Sequence, residues 1–418
     1  MMPIVQKYKY PLLLVGIGLI WLFFWNEILQ LNNQNNICND CDNYRESAAL
    51  LFHQCKTHYF RPIGMALITG LPYLFGANDA AIYSFSFIVN VLAWLGTALF
   101  LFGFLKKRVS PKIAFVASLL YYSVLSGVFN HFQLLTEPIF TFLMAAIFYF
   151  LDQFDRKKEF YWLSMAISVL IFAVLVKPSV KFLALFSLLY FGKIILNNYR
   201  AKSAVFIYVS MLLVVFQCVK MKMDYGNFTL TYVDGVTYYN YLGSKAFYYK
   251  QNNSLSQDTN ERAVYLAQQS YPDQQKIATQ DLLNQLADNK YNVLKAYISD
   301  LSENTKTPNS GIATFKNLNN KAYFESLTKA LSFMSKYQNR FFTLSGFLLA
   351  LYFLFKNHEN DRVYRLMGFY ILYTIFISGV ACAQGDRFHV VFFPFVIILL
   401  VQWYARIRAI EAAKPDEQ

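Results

Sequence analysis

The sequence is poor in charge: Asp, Glu, Lys and Arg make up 15% of its 418 residues, against roughly 25% in an ordinary globular protein. It also lacks evident internal repeats and low-complexity tracts. What it contains instead is 56% hydrophobic and 18% aromatic residues, gathered in runs long enough to cross a hydrocarbon core, which takes about 20 helical residues. These features exclude a single soluble core, a coiled coil and a disordered chain, and they predict a polytopic membrane protein.

Acidic residues are scarcer than basic ones, with 25 Asp and Glu against 38 Lys and Arg, which gives a formal net charge of +13. Such an excess invites a nucleic-acid partner, but many of the Lys and Arg residues fall in short links between apolar runs. These links lie near residues 7–9, 106–112, 156–158, 193–202, 356–365 and 406–414. Because short basic links stay on the cytoplasmic side of a membrane, we interpret the positive charge as a determinant of the chain's orientation in the membrane. The expected partners are therefore membrane lipids and no nucleic acid.

The alternation of apolar runs and basic links predicts an all-α fold of about ten transmembrane helices, with both termini in the cytoplasm. The predicted spans cover residues 11–29, 80–105, 113–130, 135–151, 161–176, 179–196, 203–219, 341–355, 364–382 and 390–405. The first span resembles an uncleaved anchor, because it is longer than a signal-peptide core and no small-residue cleavage pattern closely follows it.

Two outer segments are too long to be plain turns. The first covers residues 30–79 and belongs to an N-terminal transmembrane module, 1–219. The second, 220–340, forms an outer domain, and residues 341–418 contribute the C-terminal transmembrane helices. A Tyr-rich opening stretch predicts short strands or irregular structure in the outer domain, and the helical periodicity that follows predicts a mostly helical remainder.

The first outer segment contains two predicted helices. Asn43 and Glu46 have the spacing of a capping box, so a helix is expected to begin near Asn43. The apolar stretch from Ile63 to Phe75 is too short to cross a bilayer and predicts a helix in or near the membrane interface.

Cysteine is rare, with five residues in the chain, and Cys38, Cys41 and Cys55 lie in this first outer segment. An oxidising compartment would permit one disulfide there, with one thiol left over, and the spacing does not decide the pairing. His53 and His58 lie close by, but their spacing matches no familiar zinc pattern.

Asp40 and Asp42 immediately precede the helix predicted at Asn43. Asp42 is as readily explained by a structural role, because a carboxylate beside the cap complements the helix dipole. Asp40 lies too far out to reach the first-turn amides comfortably. We therefore identify Asp40 as the stronger candidate for chemistry and keep Asp42 as the alternative.

Four further ionisable residues come from outer loops and turns far apart in the sequence and are expected at the same membrane face: Arg61, Glu137, Lys177 and Arg387. Ordinary roles remain open for two of them, since Glu137 precedes a proline at a helix start and Lys177 can snorkel to lipid phosphate. Short outer turns are, however, expected to be poor in basic residues. The convergence of these residues with Asp40 on one membrane face therefore indicates a functional site.

Five short motifs carry a resemblance to a known family. In chain order they are D-x-x-x-Y from Asp40 to Tyr44, RPIG at 61–64, LLTEP at 134–138, VKPS at 176–179 and GDRF at 385–388. Their order and sidedness resemble the GT-C glycosyltransferases, which include the protein O-mannosyltransferases and the aminoarabinose transferases that modify lipid A. The resemblance covers most of residues 11–180 and is weaker beyond.

This resemblance implies a GT-C-like membrane enzyme that moves a sugar from a polyprenyl-phosphate donor to a glycolipid, polysaccharide or related acceptor. It places the reaction on the outer face of the membrane. We expect a bacterial inner membrane, and an endoplasmic-reticulum membrane would give the same sidedness. It also implies that the acidic residue at position 40 is a general base or a metal-associated carboxylate. The chain departs from relatives with a second acid directly after the first, because Cys41 stands there. The division of labour between Asp40 and Asp42 therefore stays open.

The residue types fit this chemistry independently. An acceptor hydroxyl needs a base, for which Asp40 is the candidate, and the departing phosphate needs cations, for which Arg61 and Arg387 are suited and Lys177 is a weaker third. Glu137 could orient the acceptor, bind a divalent metal ion (Mg²⁺, Mn²⁺ or Zn²⁺) together with Asp40, or cap its helix. Displacement in one step predicts inversion at the anomeric carbon.

Two other functions remain open. A transporter or flippase for lipid-linked sugars usually carries ionisable residues in mid-membrane and repeated halves, and this sequence has almost no charge inside its spans. A non-catalytic membrane subunit that binds a glycolipid would leave the same sequence pattern.

Overall fold

The computed structural model describes residues 2–34, 38, 40–251, 260–356, 362–381 and 385–412. Within these ranges the chain is predominantly helical and contains no β-strand, so the all-α prediction is confirmed. The helices, in chain order, are α1 Met2–Leu29, α2 Cys41–Gln54, α3 Ile63–Thr69, α4 Asp79–Leu105, α5 Pro111–Tyr122, α6 Leu125–Phe129, α7 Glu137–Lys157, α8 Phe160–Val176, α9 Lys181–Tyr190, α10 Gly192–Asn197, α11 Ala204–Tyr225, α12 Val233–Gly235, α13 Ser244–Lys250, α14 Glu261–Ala267, α15 Tyr271–Asp288, α16 Lys290–Lys306, α17 Ser310–Thr314, α18 Phe324–Phe355, α19 Arg362–Ser378 and α20 Phe393–Ala412.

Within the described residues, five stretches of helix are long and apolar enough to cross a membrane, which makes the protein an integral membrane protein. They are Tyr8–Leu29, Asp79–Leu105, Glu137–Lys157, Ala204–Tyr225 and Asp386–Ala409. A sixth span is obtained if the bent pair Pro111–Tyr122 and Leu125–Phe132, which turns by 68°, counts as one. The count of ten spans is therefore not confirmed for the described residues. Several other predicted spans correspond to shorter helices, among them α8 and α9.

Helix α7 is the central element for the site. It packs against α4 and α8, and α8 packs in turn against α3 and α11. Glu137 is its first residue, whereas buried Asp152, near its last turn, is paired with Arg108 and with Arg156 at 3.1 Å. The candidate site and this basic cluster thus lie at opposite ends of a helix about 30 Å long.

The first outer segment folds over the end of α8. Helix α2 begins at Cys41, two residues before the predicted start, and Asp40 is its N-cap residue without a side-chain capping bond. The stretch predicted as one interfacial helix forms α3 and then a 3₁₀ turn, Leu71–Phe75. Gly64 permits the close approach of α3 to α8, because a Cβ atom there would lie 2.5 Å from the carbonyl oxygen of Leu175.

The Tyr-rich stretch of the outer domain is irregular at 226–232, which agrees with one of the two predicted alternatives, and helical from Val233 onward, where neither strands nor irregular structure is found. Residues 233–250 form α12, a π-helical turn at Val236–Gly243 and α13. Aromatic residues favour strands only weakly when tertiary packing offers a better partner. Here Tyr232 packs with Tyr225 and Tyr271, at ring-centroid distances of 6.4 and 5.6 Å.

Candidate active site

Five ionisable residues from distant parts of the chain meet at helix ends. Asp40 occupies the N-cap position of α2, Arg61 lies two residues before α3, and Glu137 begins α7. Lys177 directly follows α8, and Arg387 lies in a 3₁₀ turn just before α20. The apolar helices place their polar neighbours at the end of the bundle, because charges are costly within the apolar stretches themselves.

These residues form a continuous chain of ion pairs. Asp40 accepts hydrogen bonds from Nη2 of Arg61 and from Nη1 of Arg387, each at 2.6 Å. Arg387 reaches the second carboxylate as well, through Nε to Oε1 of Glu137 at 3.1 Å. Lys177 donates to the same Oε1 at 3.0 Å. Arg387 therefore joins the two carboxylates, and Arg61 and Lys177 end the chain.

The cluster carries one more positive charge than negative, because three cations face two carboxylates. Burial alone would raise the pKa of Asp40, but the charges of Arg61 and Arg387 outweigh it and hold the pKa below its usual range. Asp40 is consequently ionised at neutral pH. An excess of buried positive charge that is already fixed in place favours an anionic ligand.

Neighbouring groups hold Arg61 in position. Its Nη1 donates to the hydroxyl of Tyr44 at 3.3 Å, and its guanidinium lies 4.5 Å from the centroid of the Tyr44 ring. Its backbone N–H donates to Nδ1 of buried His58 at 3.1 Å. Tyr44 and the loop before α3 thus fix the direction of the Arg61 side chain.

The ion-pair chain lines a cavity of about 320 Å³. The opposite wall comes from the outer domain, where Val233, Asp234, Thr237 and Tyr241 face the cavity. Asp234 forms an ion pair with Lys181, the first residue of α9, and so connects the outer domain to the membrane helices. The Oε2 atom of Glu137 is buried and has no hydrogen-bond partner, which leaves one acceptor unused beside this cavity.

Asp42 lies outside this cluster, contrary to the alternative that gave it a catalytic role. Its carboxylate accepts a hydrogen bond from the hydroxyl of Tyr83 at 2.8 Å and lies 3.9 Å from Arg45. A helix turns about 100° per residue, so side chains two positions apart near its start point in very different directions. Asp40 and Asp42 therefore cannot both face the cavity.

The cysteines of the first outer segment form one disulfide, between Cys38 and Cys41, and Cys55 is free and exposed. In the part of the chain that the structure describes, no group of three His, Cys, Asp or Glu side chains is arranged to hold a metal ion. His53 packs against the ring of Tyr73 instead, at 4.5 Å between centroids.

The donor set of Asp40 and Glu137 also fits a divalent ion poorly. Both carboxylates are already bound by Arg387, and Arg61 and Lys177 stand on either side. A hard divalent ion requires around six oxygen ligands, and here it would meet three fixed cations first. The residues present place guanidinium and ammonium groups where such an ion would lie.

A second, much larger cavity adjoins the first, and we call it the groove. Its volume is about 1160 Å³, and its walls are mainly apolar side chains of α7, α8, α9 and α19. Ile377 and Val380 line both the cavity and the groove, so the two are contiguous. The described groove-lining residues include none from 63–75, the segment predicted as an interfacial helix.

Sequence reasoning did not predict the contacts of three residues in this region. Tyr44 was part of a motif, but nothing in the sequence indicated its contact with Arg61. Asp234 and Lys181 come from separate regions, and their pairing depends on how the outer domain folds back. The regular recurrence of ionisable residues beside helix-starting prolines, as at Glu137 and Lys177, was the usable signal.

Comparisons with known proteins found no matching family model and no matching curated protein. Among solved structures, the chain is similar to the crystal structure of ArnT from Cupriavidus metallidurans bound to undecaprenyl phosphate. The identity is 12% and the TM-score 0.41, and the match covers 94% of this chain and 77% of that one. At this level of similarity we assign neither family nor activity from ArnT, and the proposal below depends on the chain's own residues.

Proposed function

We propose that the protein is a membrane glycosyltransferase that transfers a sugar from a polyprenyl-phosphate donor to a glycolipid or polysaccharide acceptor. One observation carries the proposal: the cavity lined by a cluster with excess positive charge and an ionised carboxylate adjoins a large apolar groove, with Ile377 and Val380 lining both. A ligand that suits both has an anionic head and a long hydrocarbon tail. A lipid-linked sugar phosphate has these two parts joined at the bond that is broken.

Arg61 and Arg387 are the proposed ligands of the donor phosphate. A guanidinium presents parallel N–H donors that match two phosphate oxygens, and both side chains are anchored in place before the donor arrives. The phosphate gains negative charge as the glycosidic bond breaks. Preorganised cations stabilise that charge in the transition state more than in the ground state.

Asp40 is the proposed general base. The acceptor hydroxyl oxygen attacks the anomeric carbon, its proton passes to Asp40, and the phosphate leaves with the electron pair of the carbon–oxygen bond. At rest Asp40 is a weak base because two guanidinium groups hold it. Binding of the phosphate to Arg61 and Arg387 would weaken those pairs and raise the basicity of Asp40 when the substrate is present.

Glu137 and Lys177 are proposed to position the phosphate ligands. Glu137 is 2% exposed, against 22% for the side chain of Asp40, so Asp40 is better placed to reach an acceptor. Glu137 fixes Arg387 through Nε and leaves its terminal nitrogens to Asp40 and the donor. One displacement by this route predicts inversion at the anomeric carbon.

The deciding experiment combines two measurements. Mass spectrometry of surface glycolipids from cells with and without the gene would show the loss of one hexose, pentose or amino sugar. Purified protein, supplied with polyprenyl-phosphate-linked forms of that sugar, should release polyprenyl phosphate in the presence of EDTA. A protein that moves such lipids across vesicles without cleaving them would support the flippase alternative and contradict this proposal. A purified protein that binds the glycolipid without turnover would contradict it as well.

A further inference from the structure

A disulfide flanks the proposed general base. Cys38 and Cys41, which form it, stand on either side of Asp40 in the chain. The backbone N–H of Cys41 also donates to the carbonyl oxygen of Cys38, at 3.4 Å. The covalent bond and the hydrogen bond together close a tight turn around Asp40 and restrict its backbone.

The turn keeps Asp40 out of the conformation that its position favours. An N-cap residue usually has an extended backbone, from which its side chain accepts a hydrogen bond from an amide of the first helical turn. Asp40 instead has φ −105° and ψ −11°, in the helical region, and makes no capping bond. Its carboxylate binds Arg61 and Arg387, at 2.6 Å from a nitrogen of each. Two sets of partners therefore compete for Asp40: the two guanidinium groups and the first amides of α2.

The disulfide is open to exchange and adds little to overall stability. Cys38 is half-buried and Cys41 is fully buried, so an incoming thiolate meets the sulfur of Cys38 first. A disulfide across so short a stretch removes less conformational entropy from the unfolded chain than one that closes a long loop. Its main effect is therefore local, on the turn that contains Asp40.

We propose that Cys38 and Cys41 form a redox-sensitive site that controls the position of Asp40, with a dithiol as the reductant. One thiolate of the dithiol attacks Sγ of Cys38, and the electron pair of the S–S bond passes to Sγ of Cys41, which takes up a proton. The second thiolate of the dithiol then displaces Cys38 as a thiol, so two electrons and two protons pass from the dithiol to the disulfide. With the turn open, Asp40 becomes extended, caps α2 and leaves the two arginines.

The departure of Asp40 has opposite effects on binding and on turnover. Arg61 and Arg387 lose a carboxylate that competes with phosphate, so they bind phosphate more tightly. The general base no longer reaches the acceptor, so turnover falls. This inference rests on the proposed function for the roles of the three residues. A disulfide with a purely structural role would, when reduced, weaken binding and turnover together.

Binding of a long-chain polyprenyl phosphate to the purified full-length protein tests the site. Cys55→Ser is the background, because it removes the exposed thiol of Cys55. Alkylation followed by mass spectrometry of the peptides establishes whether Cys38 and Cys41 are oxidised or reduced. Dithiothreitol, a dithiol, should tighten binding of polyprenyl phosphate about ten-fold. It should also lower the release of polyprenyl phosphate from the donor by at least about ten-fold.

Three variants in this background separate the alternatives. The double variant C38S/C41S should bind polyprenyl phosphate tightly with or without dithiothreitol. Asp40→Asn should also bind it tightly and should not respond to the reductant, because the carboxylate that moves is absent. Asp42→Asn is the matched control and should respond as the background protein does, since Asp42 lies outside the cluster.

Weaker, unchanged or undetectable binding after reduction would overturn the inference, as would an Asp40→Asn protein that still responds. A disulfide that resists dithiothreitol in the folded protein would overturn it as well. If the oxidised protein bound polyprenyl phosphate but never released it from a donor, the proposed function would fail. The change in binding on reduction would still decide the role of the disulfide.

Discussion

At the scale of single residues, the site depends on a carboxylate that does not do what its position suggests. Asp40 is an N-cap residue, yet its side chain makes no capping bond and pairs with Arg61 and Arg387. A side-chain capping bond stabilises a helix by about 1 kcal/mol relative to Ala at the N-cap position, and α2 lacks this contribution. The sequence singled out Asp40 because the helix was predicted to begin near Asn43, which would have put Asp40 beyond capping distance. The helix begins at Cys41 instead, and the sequence could not show which cations would meet Asp40.

Asp40→Asn and Asp42→Asn provide a matched pair, since both replace a carboxylate by an amide within one turn. We expect Asp40→Asn to lower turnover by about 10²- to 10⁴-fold through loss of the base. Asp42→Asn should stay within a few-fold of wild type, because its contact is Tyr83. Release of polyprenyl phosphate by purified variants measures both. Equal losses in the two variants would contradict the assignment.

The pH profile tests the role of Arg387. Because this cation helps to hold the pKa of Asp40 below its usual range, wild-type activity should persist to a lower pH than an ordinary carboxylate allows. Removing the charge in Arg387→Gln raises the pKa, so the acid limb of kcat/KM should move to higher pH. Arg200→Gln serves as the control and should leave the limb in place. If the acid limb of kcat/KM stayed in place in Arg387→Gln, Asp40 would not be the base whose titration limits activity.

At the scale of helices, the site is set by how closely α3 approaches α8. Gly64 lies in α3, and a Cβ there would meet backbone atoms, at 2.5 Å for the Leu175 carbonyl and 2.8 Å for the Val176 nitrogen. Backbone atoms at a helix end cannot rotate aside as a flexible side chain can. Because Arg61 precedes α3 and Lys177 follows α8, this contact fixes the spacing between a proposed phosphate ligand and a proposed positioning residue.

Gly64→Ala should therefore push α3 away from α8. We expect a loss of about 1–3 kcal/mol of stability from overpacking, together with weaker donor binding. Gly192→Ala is the control, because nothing lies within 4 Å of a Cβ at that position. Thermal unfolding of both variants in one detergent checks the first effect, and KM for the donor checks the second. A Gly64→Ala protein as stable as Gly192→Ala would show that the contact relaxes without cost.

At the scale of the whole molecule, the sequence predicted the fold class and the meeting of distant ionisable residues better than it predicted the number and packing of the helices. Long apolar runs indicate helices that are surrounded by lipid, so the sequence was sufficient to predict an all-α membrane protein. The number of spans could not be predicted in the same way, because the apolar run 113–130 bends by 68° in the middle and other apolar runs form shorter helices. Pairing between the outer domain and the bundle, as in Asp234 with Lys181, depends on tertiary packing that no local pattern encodes.

Sidedness remains a prediction of the basic-link pattern, and the exposed Cys55 allows a direct test. In sealed vesicles of known orientation, a membrane-impermeant maleimide should label Cys55 from the outer side. In a Cys55→Ser background, a cysteine introduced by Lys107→Cys should be labelled only after permeabilisation. Labelling of both positions from the same side would overturn the predicted topology and the outer-face location of Asp40.

The side chains of Ile377 and Val380 form the boundary between a polar chamber, the cavity beside Asp40, and an oily, apolar chamber, the groove. Such a boundary selects amphiphiles by the position of their polar–apolar junction. A molecule fits both chambers only if its hydrophilic part ends and its hydrocarbon part begins at Ile377 and Val380. A sugar nucleotide, which is water-soluble along its whole length, would leave the oily chamber empty and is expected to be a poor substrate whatever sugar it carries.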